Sequence, residues 1–340
     1  MSNEYRNLRD KKNNDKINEL LNTMPEFMED YYVHLAARNR STETIKSYLY
    51  EANVFLRYVS DLCKKEFCDL EVVDLEKVRM AQIDRYTSLS SDGIALTANA
   101  MRRKLSVIKS IYKYFIGIGS IKVNPTLLLE GARLPRKEVI KLSDDQVKAL
   151  LWAIQSQSGV SKRSRKYNER MVERDLAIVM TLLGTGMRIS ELVGLNISDF
   201  DTSGKRTTFH IIRKGSDEDV VFCPDAVTKA VKEYLSISRP TLLCDTSETA
   251  LFISTRGTRL TVSSAEKMVK KYVLTAGLPD NISPHKMRAT FATKVYKETT
   301  DIYAIRDALH HKSIDTSKNY ISDKEERKEK AADAVSVLFD

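Results

Sequence analysis

The stretch Gly184-Thr185-Gly186-Met187-Arg188-Ile189-Ser190-Glu191-Leu192 follows an apolar run from Leu176 to Leu183, and its glycines form a turn that delivers an arginine at the start of a helix. Glu191, one turn on, is spaced to hold the Arg188 guanidinium. Between Arg206 and Phe222 the pattern changes to β-branched runs, Thr207 to Ile212 and Asp219 to Phe222, around the turn-forming Lys214-Gly215-Ser216. This predicts a short β-hairpin. Helical patterns resume at Ser263–Thr275, and in Ser283-Pro284-His285-Lys286-Met287-Arg288 a proline opens a helix whose i, i+3 spacing puts His285 and Arg288 on one face. Further on stand Leu309-His310-His311 and then Tyr320, nine positions after His311. The second half of the chain therefore reads as mostly helical with one small antiparallel sheet.

The first half reads as all helical. Behind a Ser41/Thr42 cap, with Glu43 in the first turn, Ile45, Leu49, Ala52, Leu56 and Val59 recur at helical spacing. From Thr97 to about Phe115, Met101, Leu105, Ile108, Tyr112 and Phe115 make a second apolar stripe, while Arg102, Arg103, Lys104, Lys109 and Lys113 cover the other faces. Such a basic face is either a solvated surface or a surface for a polyanion. Asn124-Pro125 ends the helical region.

At 340 residues the chain suits two domains. The boundaries expected are a flexible N-terminal extension over residues 1–24, a helical domain over 25–128, an extended linker over 129–141 with Gly131, Pro135 and several basic residues, a second domain over 142–324, and a C-terminal tail over 325–340. Ser143-Asp144-Asp145 caps the first helix after the linker. The basic run Lys162-Arg163-Ser164-Arg165-Lys166 reads as a surface loop, touching DNA or merely solvated. In the tail, Ala331, Ala332, Val335, Leu338 and Phe339 lie at roughly helical spacing, suited to docking on a neighbouring subunit or to folding back on their own domain.

Composition narrows the class. The chain is 42% hydrophobic and 30% charged, as globular chains are, and no apolar run approaches the ~20 residues that cross a bilayer. Met1 to Asn14 are polar and unlike a secretory signal, so a cytoplasmic protein is expected. Cys63, Cys68, Cys223 and Cys244 lack metal-ligand spacing and read as reduced, buried thiols. Fifty-five Lys and Arg against 46 Asp and Glu leave a net charge of +9, which favours a polyanionic partner.

Over residues 25 to 325 the ordered set resembles the tyrosine recombinase (phage integrase) family, most of all its Xer-type members. Any one of the motifs recurs by chance; five in the right order with the right final spacing form a specific signal. The resemblance implies Arg188, Lys214, His285, Arg288, His311 and Tyr320 as the catalytic residues and Glu191 as the support of Arg188. It also implies a helical core DNA-binding domain, with Arg102, Arg103, Lys104 and Lys109 on its DNA-facing surface. The two domains are expected to close as a clamp on double-stranded DNA, as a homotetramer joining paired recombination sites through a Holliday junction, alone or with a related recombinase. Chromosome dimer resolution, integration and excision of a mobile element, and inversion all remain open. His310 departs from the family's glycine; spacing favours His311 as the catalytic histidine, with His310 at a positive-φ helix end. Ala289 stands where many members carry another histidine, and the family's large accessory DNA-binding arm is not expected in so short an extension.

The residue types suit the chemistry. A phosphodiester repels nucleophiles, and its transition state gathers negative charge that preorganised cations stabilise. Arg188 and Arg288 would each grip two phosphate oxygens with a planar fork. Tyrosine, with a pKa near 10, needs a proton acceptor, and His285 is the candidate; Lys214 would protonate the departing 5′-oxygen, and His311 would add a hydrogen bond to the phosphate. The product is a 3′-phosphotyrosine link. No carboxylate cluster suited to Mg²⁺ accompanies these groups, so neither metal nor nucleotide cofactor is expected. Two other readings are a type IB topoisomerase-like enzyme, separable by assays on supercoiled plasmids with and without paired sites, and a non-catalytic DNA-binding regulator, which the complete catalytic set disfavours.

Overall fold

The structure is a computed structural model that describes residues 3–90, 92–134, 140–157, 169–213 and 218–310. The chain divides into two compact units, Arg6–Arg136 and Lys137–Asp340, the latter taking in Met1–Tyr5.

The first unit is built on α1 (Asn3–Leu21) from Arg6 onward, α2 (Phe27–Ala37), α3 (Thr42–Cys63), α4 (Met80–Ser88) and α5 (Ala98–Gly117). Ser41 caps α3 by accepting from the Thr44 N–H, and Thr97 caps α5 by accepting from that of Ala100, satisfying N–H groups a helix start leaves unpaired. The stripe Ile45, Leu49, Ala52, Leu56 and Val59 is buried. On α5, Leu105, Ile108, Tyr112 and Phe115 are buried as their spacing predicts, joined by Val107 and Ile111, while Met101 is only half-buried. The two large buried tyrosines of this core are paired: Tyr112 donates to the Leu75 carbonyl at 2.7 Å, and Tyr31 to the Ser110 hydroxyl at 2.8 Å.

The extension expected over residues 1–24 is instead largely the helix α1. Its only strong apolar signal is Ile17, Leu20, Leu21 and Met24, which are buried in the unit's core. The rest is tied down by polar contacts. Asn13 donates to Thr42 Oγ1 and Glu43 Oε2, both at 3.1 Å, and accepts from Lys46 Nζ at 2.7 Å, while Thr42 donates to Asp10 at 2.7 Å. Hydrophobic periodicity is blind to docking of that kind.

The second unit contains α6 (Asp144–Gln155), α7 (Val172–Thr185), α8 (Ile189–Gly194), β1 (Phe200–Asp201), β2 (Thr208–Ile212), β3 (Glu218–Phe222), α9 (Asp225–Ser236), α10 (Ser238–Leu242), α11 (Val262–Thr275), α12 (Pro284–Thr299) and α13 (Ile302–Leu309). Ser143 and Gln146 form a reciprocal capping box at the start of α6. Among the described residues the sheet is antiparallel in the order β1-β2-β3, with Thr208 opposite Phe222 and Ile212 opposite Glu218. α7 runs through the core, its Ala177, Ile178, Val179 and Leu182 fully buried. Gly184 lets α9 approach: a Cβ there would stand 2.6 Å from Val227 Cγ2. The fold is thus mainly helical with a small antiparallel sheet.

One smaller expectation changes. Cys223 is buried, but Cys68 and Cys244 are exposed and Cys63 half-buried; all four thiols are free. Among the described residues no helix is long and apolar enough to cross a membrane.

Candidate active site

The turn at Gly184–Arg188 makes the site. Gly186 closes α7 with φ 63°, a left-handed conformation that glycine adopts without penalty. Space is as decisive as φ: a Cβ on Gly186 would lie 2.8 Å from Leu309 Cδ2 and closer still to the Phe291 ring. Two residues later, Arg188 is the N-cap of α8. Glu191 holds it twice, with Oε2 accepting from the Arg188 N–H at 2.7 Å and Oε1 from Nη1 at 2.8 Å. The Glu191 side chain is 5% exposed and that of Arg188 45%, so the carboxylate anchors a guanidinium that still reaches solvent.

Pro284 opens α12 at its first turn, as its fixed φ allows. Arg288, on that helix, is buried, and donates from Nη1 to the Gly186 carbonyl at 2.5 Å and from Nη2 to that of Leu309 at 2.7 Å. One side chain therefore joins the turn before Arg188, helix α12 and the end of α13. His285 is exposed; partial burial of its ring, then the positive charges of Lys286, Arg288 and Arg188, hold its pKa below the usual imidazole value of 6.5. That arrangement favours the neutral, proton-accepting ring.

His310 caps α13 with φ 47° and ψ 54°, the positive-φ position its place beside Leu309 suggests. Lys214, His311 and Tyr320 lie outside the described residues, as do the turn Lys214-Gly215-Ser216, the run Lys162–Lys166, part of the linker and the tail 325–340. β2 and β3 flank the hairpin turn where the sequence places it, with a two-residue β1 added at the sheet's edge. Sequence reasoning passed over Arg213 and Asp219. Arg213 Nε donates to Asp219 Oδ2 at 2.5 Å. The only signal was their opposite charges at the two strand ends.

In the first unit the basic face of α5 is partly committed to internal contacts. Arg103 donates to Ser47 Oγ at 2.7 Å, and Lys104 lies 4.1 Å from the Tyr86 ring centroid. Arg102 is exposed and Lys109 half-buried.

The phage integrase family matches over residues 141–327. Tyrosine recombinase XerC of Caldanaerobacter subterraneus subsp. tengcongensis is 30% identical over 310 residues, spanning 87% of this chain and 82% of its own. Tyrosine recombinase XerD of Oceanobacillus iheyensis is 29% identical over 295 residues, spanning 86% and 92%. Among solved structures, the XerH site-specific recombinase bound to palindromic difH substrate in a post-cleavage complex superposes with a TM-score of 0.69 at 22% identity, covering 94% of this chain and 88% of that one. A lambda integrase tetramer bound to a Holliday junction gives 0.63 at 16% identity, covering 87% and 76%. At those identities the likeness is one of fold.

Proposed function

The chain belongs to the phage integrase family, the tyrosine recombinases, and from that membership we infer that it is an enzyme that breaks and rejoins DNA in site-specific recombination. In this reading Tyr320 attacks the scissile phosphate to form a 3′-phosphotyrosine link, and the released 5′-hydroxyl of a partner strand later reverses the attack. Arg188 and Arg288 bind the phosphate and its transition-state charge, with Glu191 orienting Arg188. His285 takes the tyrosine proton, Lys214 protonates the leaving oxygen and His311 adds a hydrogen bond. The observation that most supports these roles is the convergence on the Gly186 turn, where Arg288 grips the carbonyl two residues before Arg188 and His285 lies in the field of both guanidinium groups.

The partner is double-stranded DNA, and on it we propose a homotetramer that pairs two sites, with Arg102, Arg103, Lys104 and Lys109 contributing phosphate contacts and residues 325–340 docking on a neighbour. The two units would close on the duplex as a clamp, over the domain boundaries that the sequence suggests. Because guanidinium groups supply the positive charge, cleavage should survive EDTA and need no nucleotide.

The test uses a nicked duplex carrying the sequence this protein itself selects from a random pool. The expected result is a denaturant-resistant, protease-sensitive protein–DNA adduct in EDTA, and exchange between two plasmid-borne copies of the site. Adduct formation with relaxation but no exchange would make the enzyme a topoisomerase, and binding without adduct a regulator.

A further inference from the structure

A chain of charged side chains, of which only Glu191 and Arg188 enter the steps above, runs from the end of α13 across the sheet to α8. Arg213, just after β2, is 8% exposed, and its Nε donates to Asp219 Oδ2 on β3. Asp219 is 10% exposed, and its other oxygen, Oδ1, stands 2.9 Å from Nε2 of His310. On the opposite side, Arg213 Nη1 reaches Glu191 Oε1 at 3.5 Å, the same oxygen that accepts from Arg188 at 2.8 Å. His310, Asp219, Arg213, Glu191 and Arg188 thus alternate basic and acidic groups without a break.

Three features single out Asp219 in this series. Both of its carboxylate oxygens are committed, Oδ2 to Arg213 and Oδ1 to His310 and to the Val220 N–H at 2.9 Å. Its nearest partner is nearly buried, and charges so placed need good mutual geometry to be tolerated. Finally, His310 holds a positive φ where glycine would sit without strain, so what the imidazole adds at that position is its contact with Asp219.

We propose that Asp219 is a positioning residue for strand cleavage: it clamps the hairpin to the α13 cap through His310 and, through Arg213 and Glu191, fixes the orientation of Arg188. His310 and Arg213 immediately precede His311 and Lys214 in sequence. The clamp therefore holds the two backbone points from which those residues follow. Orientation of this kind is worth much in rate and little in binding, because a transition state tolerates less displacement than a bound duplex does.

The proposal rests on reading Arg188 as a phosphate-binding residue, and the test separates the two. Full-length wild type, His310→Gly, Asp219→Asn and the double variant are each mixed in single-turnover excess with the self-selected nicked duplex, and adduct formation, duplex affinity and melting temperature are measured. His310→Gly removes the imidazole and relieves the positive φ, so its melting temperature should equal or exceed wild type. Its duplex affinity should stay within about twofold while adduct formation slows on the order of tenfold. Asp219→Asn should slow the reaction at least as much, and the double variant should be no slower than Asp219→Asn alone, since both changes cut one link. A wild-type adduct rate in His310→Gly, or losses that add in the double variant, would overturn the clamp. If Asp219→Asn does not fold, His310→Gly decides alone. Absence of any adduct with wild type would overturn the cleavage reading itself and the clamp with it.

Discussion

Arg288 Nη2 donates to the main-chain oxygen of Leu309 at 2.7 Å, so the arginine of the His-x-x-Arg pair is bound into the helix end that carries His310. Its Nη1 does the same for Gly186. The two arginines proposed to bind phosphate are therefore unequal. Arg288 is buried and tied to two main-chain carbonyls, whereas the half-exposed Arg188 leans on one carboxylate.

That inequality separates two substitutions. Arg288→Ala leaves two buried carbonyls without a donor and should cost about 2 kcal/mol of stability, while Arg188→Ala should cost less than about 1 kcal/mol. Both should slow adduct formation by at least ~100-fold, with duplex affinity largely kept because distributed phosphate contacts supply most of it. Urea denaturation, gel shift and adduct formation on the same preparations check this. Equal destabilisation by the two variants would contradict the unequal burial.

Gly186→Ala forces a Cβ into the left-handed region and against Phe291 and Leu309, at a turn that also carries an Arg288 hydrogen bond. The expected loss is about 3 kcal/mol from strain and overpacking together. Gly277→Ala is the comparison. It shares a positive φ, at 66°, but has open space around the site, so it should cost about 1 kcal/mol from strain alone. Urea midpoints of the two variants decide whether contact or φ dominates at Gly186.

Much of this was legible in the sequence because it is written locally. The Ser41 and Thr97 caps, the apolar stripes of α3 and α5, the β-branched strands of the hairpin and the Pro284 helix start all depend on residues within a turn or two of each other. What stayed hidden depends on partners far apart in sequence. α1 is held through Asp10 and Asn13 to residues near Thr42, and Asp219 meets a histidine 91 positions later. Tyr303 shows the converse. Flanked by Ile302 and Ile305, it reads as packed, yet it is 52% exposed with Arg306 over its ring, because only Ile305 and Leu309 of that helix face α12.

His285 gives the pH dependence. Its folded pKa lies below 6.5, so the ring is already neutral at pH 7 and able to accept a proton. The kcat/KM of cleavage should then hold steady as pH falls from 8 to the usual imidazole value near 6.5 and decline only at lower pH. Stability carries the same sign: the unfolded chain binds the proton more readily, so this group's contribution is present above pH 6.5 and is lost as pH falls toward the folded pKa. His285→Gln should remove the acid limb along with most of the rate. A limb centred above pH 6.5 would argue against His285 as the acceptor.

The nucleophile admits the sharpest test. Tyr320→Phe removes one oxygen and keeps the ring, so folding and duplex binding should stay near wild type while the covalent adduct disappears. Tyr303→Phe is the matched control: it is the tyrosine before Tyr320 in the chain, and its exposed ring makes loss of the hydroxyl nearly neutral for stability. With the nicked duplex, wild type and Tyr303→Phe should accumulate equal amounts of denaturant-resistant adduct, and peptide mapping of either should find the phosphate on Tyr320. If Tyr320→Phe still forms the adduct, the nucleophile lies elsewhere. The spacing from His311 would then be misassigned, and His310, already in contact with Asp219, would have to be weighed as the phosphate-facing histidine in its place.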